Sequence, residues 1–140
     1  MHLNHTIVHA RDKIAASDFV NQLLGLPPPR LVGPFAIVQV DADLSLDFID
    51  AAEPMQSQHY AFLVTEAEFD AIFARMRERG LTWWADPGRR EVGQMNTWDG
   101  GHGVYLDDPN GHQLEVTTPS ARLSMAAVTA TVAIMTRLDP

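Results

Sequence analysis

The chain reads the same way twice, and that repeat limits its architecture more than any other feature. Leu3 to Ala10 has the character of a strand. Asp12 to Leu24 follows, with Ile14, Phe19, Val20, Leu23 and Leu24 near a helical stripe that Gly25 stops. The stiff Pro27-Pro28-Pro29 run leads to two short strands, Phe35 to Val40 and Leu44 to Ile49. After a polar, aperiodic stretch from Ala51 to Ser57 the order starts again. His59 to Val64 is a strand, and Glu66 to Arg79 is a helix with Phe69, Ile72, Phe73 and Met76 on one side, stopped by Gly80. Leu81 to Ala85 is a further candidate strand. Gly103 to Leu106 and Gln113 to Thr117 are strands joined by Asp108-Pro109-Asn110-Gly111, a strong hairpin signal. His5 to Gly25 spans 20 residues and His59 to Gly80 spans 21, so the halves are nearly in register. The expected fold is α+β, with one module over about residues 1–50, a linker over 51–58 and a second module over about 59–118.

Strand parity distributes the polar residues. Side chains two apart on a strand share a face. His5 therefore stands with Ile7 and His9, leaving Thr6, Val8 and Ala10 to cover a helix. His59 stands with Ala61 and Leu63, Asp47 with Ser45 and Ile49, and Glu115 with Gln113 and Thr117. Each of these four strands has one apolar face and one mixed face that carries a potential metal ligand. A sheet with helices on one side and a half-polar concave side accommodates all four.

Composition narrows the chemistry. There is no cysteine among the 140 residues, which removes disulfides, zinc-thiolate sites, iron-sulfur clusters and cysteine nucleophiles together. A metal would have to be held by His, Asp and Glu, which suits a hard or borderline ion. Eighteen acids against ten bases give a formal charge of -8, and the bases (nine arginines and Lys13) form no run. Nucleic acid and anionic membrane are poor partners for such a surface. The apolar stretch around Met125 to Met135 is broken by threonines and falls short of the roughly 20 residues that span a bilayer. The N-terminus has no signal-peptide pattern, so cytoplasmic residence is the expectation.

His5, His59 and the closing Tyr105-x-x-Asp108-Pro109-Asn110-Gly111-His112-x-x-Glu115 resemble the glyoxalase / bleomycin-resistance / extradiol dioxygenase superfamily, also called vicinal oxygen chelate proteins. The resemblance runs from about Leu3 to Thr118, and the Asp-Pro-Asn-Gly-His hairpin leading into Leu-Glu is its most specific part. It implies two βαβββ modules forming a half-barrel sheet with helices on the outer face, and commonly a homodimer. It also implies one divalent ion (Fe, Mn, Ni, Co or Zn) held by His5, His59 and Glu115, with Asp47 where a fourth, acidic ligand stands in metal-dependent glyoxalases. Two imidazoles and a carboxylate leave coordination positions open, as a Lewis-acid catalyst requires. Residues 119–140 lie beyond the resemblance; Met125, Val128, Val132 and Met135 are spaced as one face of a helix there.

The other residues carry less. Tyr105 is an expected substrate contact and, with Glu115 and Asp47, a candidate catalytic group. Trp98, Asn96, Arg89 and Arg90 sit in a Gly/Pro-broken stretch long enough to lie over a pocket. Trp83 and Trp84 read as packing residues, since two adjacent Trp in a strand cannot both face a pocket. His9 is a candidate base beside His5, and His112 reads as structural. His2 and His102 carry no signal. The helix dipole explains Glu66 and Glu68.

Four chemistries share such a site. A lyase or isomerase would use metal-bound vicinal oxygens and a carboxylate that moves a proton, and it is the favoured reading. An extradiol dioxygenase is the alternative, although 30–58 contains no additional His. A fosfomycin-type transferase would want a cation-rich pocket. A metal-free binding protein for a small cationic molecule fits the charge but has no use for the ligand set.

Overall fold

The computed structural model describes residues 1–52 and 55–119. The first module runs β1 (His5–Ala10), α1 (Lys13–Leu24), β2 (Arg30–Val32), β3 (Phe35–Gln39) and β4 (Ser45–Asp50). The second runs β5 (His59–Leu63), α2 (Glu66–Glu78), a 3-10 turn (Trp98–Gly100), β6 (Gly103–Asp107) and β7 (Gln113–Thr117). Each module makes its own sheet, in the order β1-β4-β3-β2 and β5-β7-β6. β1 runs parallel to β4 and β5 parallel to β7, which is the signature of one repeated unit.

Two elements differ from the sequence reading. β2 escapes notice because it is a three-residue edge strand, wholly exposed and directly after the proline run. Leu81 to Ala85 forms no strand. Trp84 alone makes a bridge, to Val92 on one side and Tyr105 on the other, so the second module has three strands where βαβββ expects four. The chain turns at Asp86 and Pro87 before a longer ladder can form. The helical reading of the C-terminal extension falls on residues 120–140, outside the described residues.

Both helices start where short polar side chains satisfy their first N–H groups. Asp12 accepts from Ile14 N and Ala15 N. Thr65 and Glu68 form a capping box. Hydrogen bonds from the Thr65 backbone and side chain hold the Glu68 carboxyl below its usual range. A carboxyl lowered in the folded state stabilises the protein above its unfolded pKa and loses that contribution as pH falls through the folded value. The urea midpoint should therefore decline as pH drops below the ordinary glutamate range, less steeply in Glu68→Gln than in the wild type. Equal slopes would show that the cap is not formed in solution.

Alternation along the strands places the core. Val8, Val38, Leu46 and Phe48 turn inward from the first sheet and Leu106, Leu114 and Val116 from the second, against Val20 and Leu23 of α1 and Phe69, Ile72 and Met76 of α2. All belong to one cluster, so the two modules share a core that neither could complete alone. The faces turned away from the helices stay open, with Ile7 48% and Leu63 68% exposed.

His112 ties the modules together. Its ring is 1% exposed, Nε2–H donates to the His9 carbonyl at 2.7 Å, and Nδ1 accepts from Gln58 N at 3.1 Å. The tight turn before it is set by Asp108, whose Oδ1 accepts from Asn110 N and His112 N, and by Gly111 at φ 85°. Arg11 adds bonds to the Pro109 carbonyl and the Asn110 side chain. The hairpin that makes the sequence recognisable is thus the joint between the halves. Its histidine is structural, as the sequence reading has it.

Candidate metal centre

The open face of the second sheet is laid out in rows by strand register. His59, Gln113 and Asp107 share one row, and Ala61, Glu115 and Tyr105 share the next. Trp84, bridged to Tyr105 by two backbone hydrogen bonds of 2.9 Å, extends the second row. His59 Nε2 and Glu115 Oε2 meet diagonally between the rows at 3.1 Å. The His59 and Tyr105 rings lie stacked with centroids 6.1 Å apart, and Trp98 stands 6.3 Å from Tyr105, itself 57% exposed. Burial, then the Glu115 charge and its hydrogen bond, push the Tyr105 hydroxyl up to about 12. Near neutral pH the hydroxyl therefore keeps its proton beside the Glu115 carboxylate.

The open face of the first sheet carries the remaining candidates. His5, Ser45 and Gln39 form one row there, and Ile7, Asp47, Ile37 and Arg30 the next. Asp47 accepts from Ser45 Oγ at 2.7 Å, and His5 Nδ1 pairs with its neighbour Asn4. His9 faces the same side and uses its carbonyl for His112. The structure thus brings His59, Glu115 and Tyr105 together and leaves His5 and Asp47 on the other sheet. Among the described residues of one chain, no three His, Asp or Glu side chains gather closely enough to hold a metal ion.

The donor chemistry nonetheless suits a divalent ion. An imidazole nitrogen and a carboxylate oxygen converge from neighbouring strands. Two donors each about 2.1 Å from a common ion and at right angles would be about 3.0 Å apart, close to the observed separation. Among the described residues of one chain, the third donor is missing.

Sequence reasoning missed three contributors to this face. Trp84, read as packing, stands in the row of Tyr105, whereas Trp83 does pack, edge-on to Phe73 at 5.2 Å. Asp107 and Gln113 are both engaged with the segment after Trp84. Asp107 takes two hydrogen bonds from Arg89, and Gln113 Nε2 donates to the Pro87 carbonyl at 2.8 Å. The signal for Asp107 and Gln113 was present, since parity places both on the site face. An isolated bridge such as that of Trp84 leaves no periodic trace. His102 also acquires a partner, Glu66 at 2.8 Å, over the Phe69 ring.

With two linked modules and a His–Glu pair on an open sheet face, the comparison with known proteins is direct. The sequence profile of the Glyoxalase/Bleomycin resistance protein/Dioxygenase superfamily matches residues 2–116, and the chain belongs to that superfamily. Among solved structures, "Oxidase ChaP-H1" is 57% identical with a TM-score of 0.83, covering 85% of this chain and 96% of that one. "Glutathione transferase FosA" of Serratia marcescens is 29% identical over 131 residues, 89% of this chain and 86% of its own length. A lactoylglutathione lyase from Agrobacterium tumefaciens shares the fold, with a TM-score of 0.63 at 21% identity, covering 84% of this chain and 92% of that one. No helix among the described residues is long and apolar enough to cross a membrane.

Proposed function

We propose that this protein is a divalent-metal-dependent oxidase that acts on a small, oxygen-rich substrate chelated at the centre, and that the centre is completed between two copies of the chain. The oxidase reading is carried by the 57% identity to an oxidase along 96% of its length. It moves the dioxygenase-type alternative ahead of the lyase or isomerase type, whose likeness to the lyase, at 21%, bears on fold alone. The shared centre is supported by the separation of His5 from the His59–Glu115 pair and by the two open sheet faces, which a second copy can cover.

His59 and Glu115 of one copy and His5 of the other would hold the ion, with Asp47 arriving on the same face as His5. A divalent ion bound there would supply Lewis acidity and, where redox-active, the means to activate dioxygen. Dioxygen is the oxidant, and an oxygenation that places both its atoms in the product needs no other reductant. Tyr105 presents its ring beside His59, with its hydroxyl protonated near the Glu115 charge. Trp98 and Trp84 supply apolar walls that keep water from the substrate. Asp47, which accepts from Ser45, would take a proton from a substrate hydroxyl if the faces meet.

Complementation tests this reading. His5→Ala and His59→Ala, made without a polyhistidine tag, should each purify free of metal. Co-expressed, they should regain metal at about one site in four, because half the dimers are mixed and each mixed dimer has one intact centre. Iron in the wild type with substrate-dependent oxygen uptake favours the oxidase, whereas nickel or zinc with no uptake returns the lyase. Full metal in both single variants would overturn the centre itself.

A further inference from the structure

Arg89 is the only non-glycine among the described residues with positive φ, at 57°. That conformation is uncommon for a long side chain and costs on the order of 1 kcal/mol or more. The surroundings enforce it. Asp86, 4% exposed, accepts from Gly88 N, Arg90 N, Glu91 N and Arg90 Nε, and its carbonyl accepts from Arg89 N. Gln113 fastens the same turn to the site face through the Pro87 carbonyl. The result is a rigid loop that delivers one guanidinium to the edge of the sheet holding His59 and Glu115.

The guanidinium is held there from two sides. Nε and Nη2 donate to the two oxygens of Asp107 at 2.9 and 2.7 Å, and its carbon lies 5.8 Å from the centre of the Trp84 ring. This clamp uses one edge of the fork. A guanidinium carries five N–H donors in a fixed plane, so those on Nη1 and the second on Nη2 are left to meet a planar anion. The side chain remains 42% exposed, and Asp107 33%. Asp107 stands two strands from His59 in the same row, about 10 Å across the sheet, and one step, about 7 Å, along β6 from Tyr105. Those spans match a substrate whose chelating oxygens sit at His59–Glu115 and whose far end, one ring away, reaches the arginine.

We infer that Arg89 forms a specificity subsite for an anionic oxygen group, such as a carboxylate, at the end of the substrate opposite the chelating oxygens. The inference rests on the chelation reading above. In a chain with a net charge of -8, an anionic substrate gains little from the general field, so a fixed local cation has to supply its recognition. The backbone strain has the same explanation, since conformational cost persists where the neighbouring structure imposes it for a purpose other than stability.

Catechol and 3,4-dihydroxybenzoate both offer vicinal oxygens and differ by one carboxylate. Titrated calorimetrically into the full-length, Mn(II)-loaded protein, the carboxylated probe should bind about tenfold more tightly to the wild type, and Arg89→Met should erase that preference. Arg89→Gly removes the guanidinium and relaxes the positive φ together, so it should lose the preference while its melting temperature holds or rises. A preference that survives in both variants, or an Arg89→Gly protein that melts well below the wild type and keeps its preference, would reduce Arg89 to a loop staple. Failure of wild-type protein to hold Mn(II) or to bind either probe would instead overturn the chelation reading, and this inference with it.

Discussion

Glu115→Gln should lower divalent-metal affinity by at least about 100-fold and leave the melting temperature within about 3 °C of wild type. The side chain faces the open side of β7 and takes no part in the core, so substitution there removes a ligand and not packing. Glutamine is the informative replacement because it keeps the size and shape of the side chain while removing its charge. The comparison is read by metal titration beside thermal unfolding. Intact metal binding in Glu115→Gln would remove Glu115 from the centre, and a large fall in melting temperature would mean that the carboxylate serves the fold.

His112→Ala should do the reverse, costing about 2–4 kcal/mol of stability while leaving the His59–Glu115 pair chemically unchanged. Both ring nitrogens bond to backbone groups, one in β1 and one in the linker just before β5, and the ring packs edge-on to Tyr60 at 6.0 Å. Its removal opens a cavity and strands the His9 carbonyl and the Gln58 N–H. Against a typical total of 5–15 kcal/mol that is a large fraction, visible as a drop of roughly 10 °C in the melting temperature. A loss below about 1 kcal/mol would show that the hairpin histidine is incidental to how the modules are joined.

The two substitutions separate what recognition of this family rests on. Asp108, Asn110, Gly111 and His112 were legible as a motif, yet their physical work is to build a turn and a joint. Glu115, three residues on, carries the chemistry. Both share one short stretch because β7 must start at the joint and run past the site.

Much of the candidate site was readable from parity. The burial of Val8, Leu46, Phe48, Leu114 and Val116, and the openness of Ile7 and Leu63, follow from alternation once the strands are placed. The readable part stopped where structure was not periodic. β2, three exposed residues after three prolines, gave no pattern, and Trp84 reaches the site by a single bridge. The strained turn at Arg89 depends on a carboxylate three residues earlier that folds the backbone around itself, which only a conformation can display.

By itself the sequence determined the repeat, the class of fold, the faces on which His5, Asp47, His59 and Glu115 stand, and the absence of any cysteine chemistry. Those follow from local periodicity and composition. Only the tertiary structure decided which of these residues meet. The two sheets share one core through their helix-facing sides, and within one chain that arrangement gathers Glu115, His59 and Tyr105 but not His5 or Asp47. Such a division depends on how two similar modules pack, and the pattern of either module is the same whichever way they do.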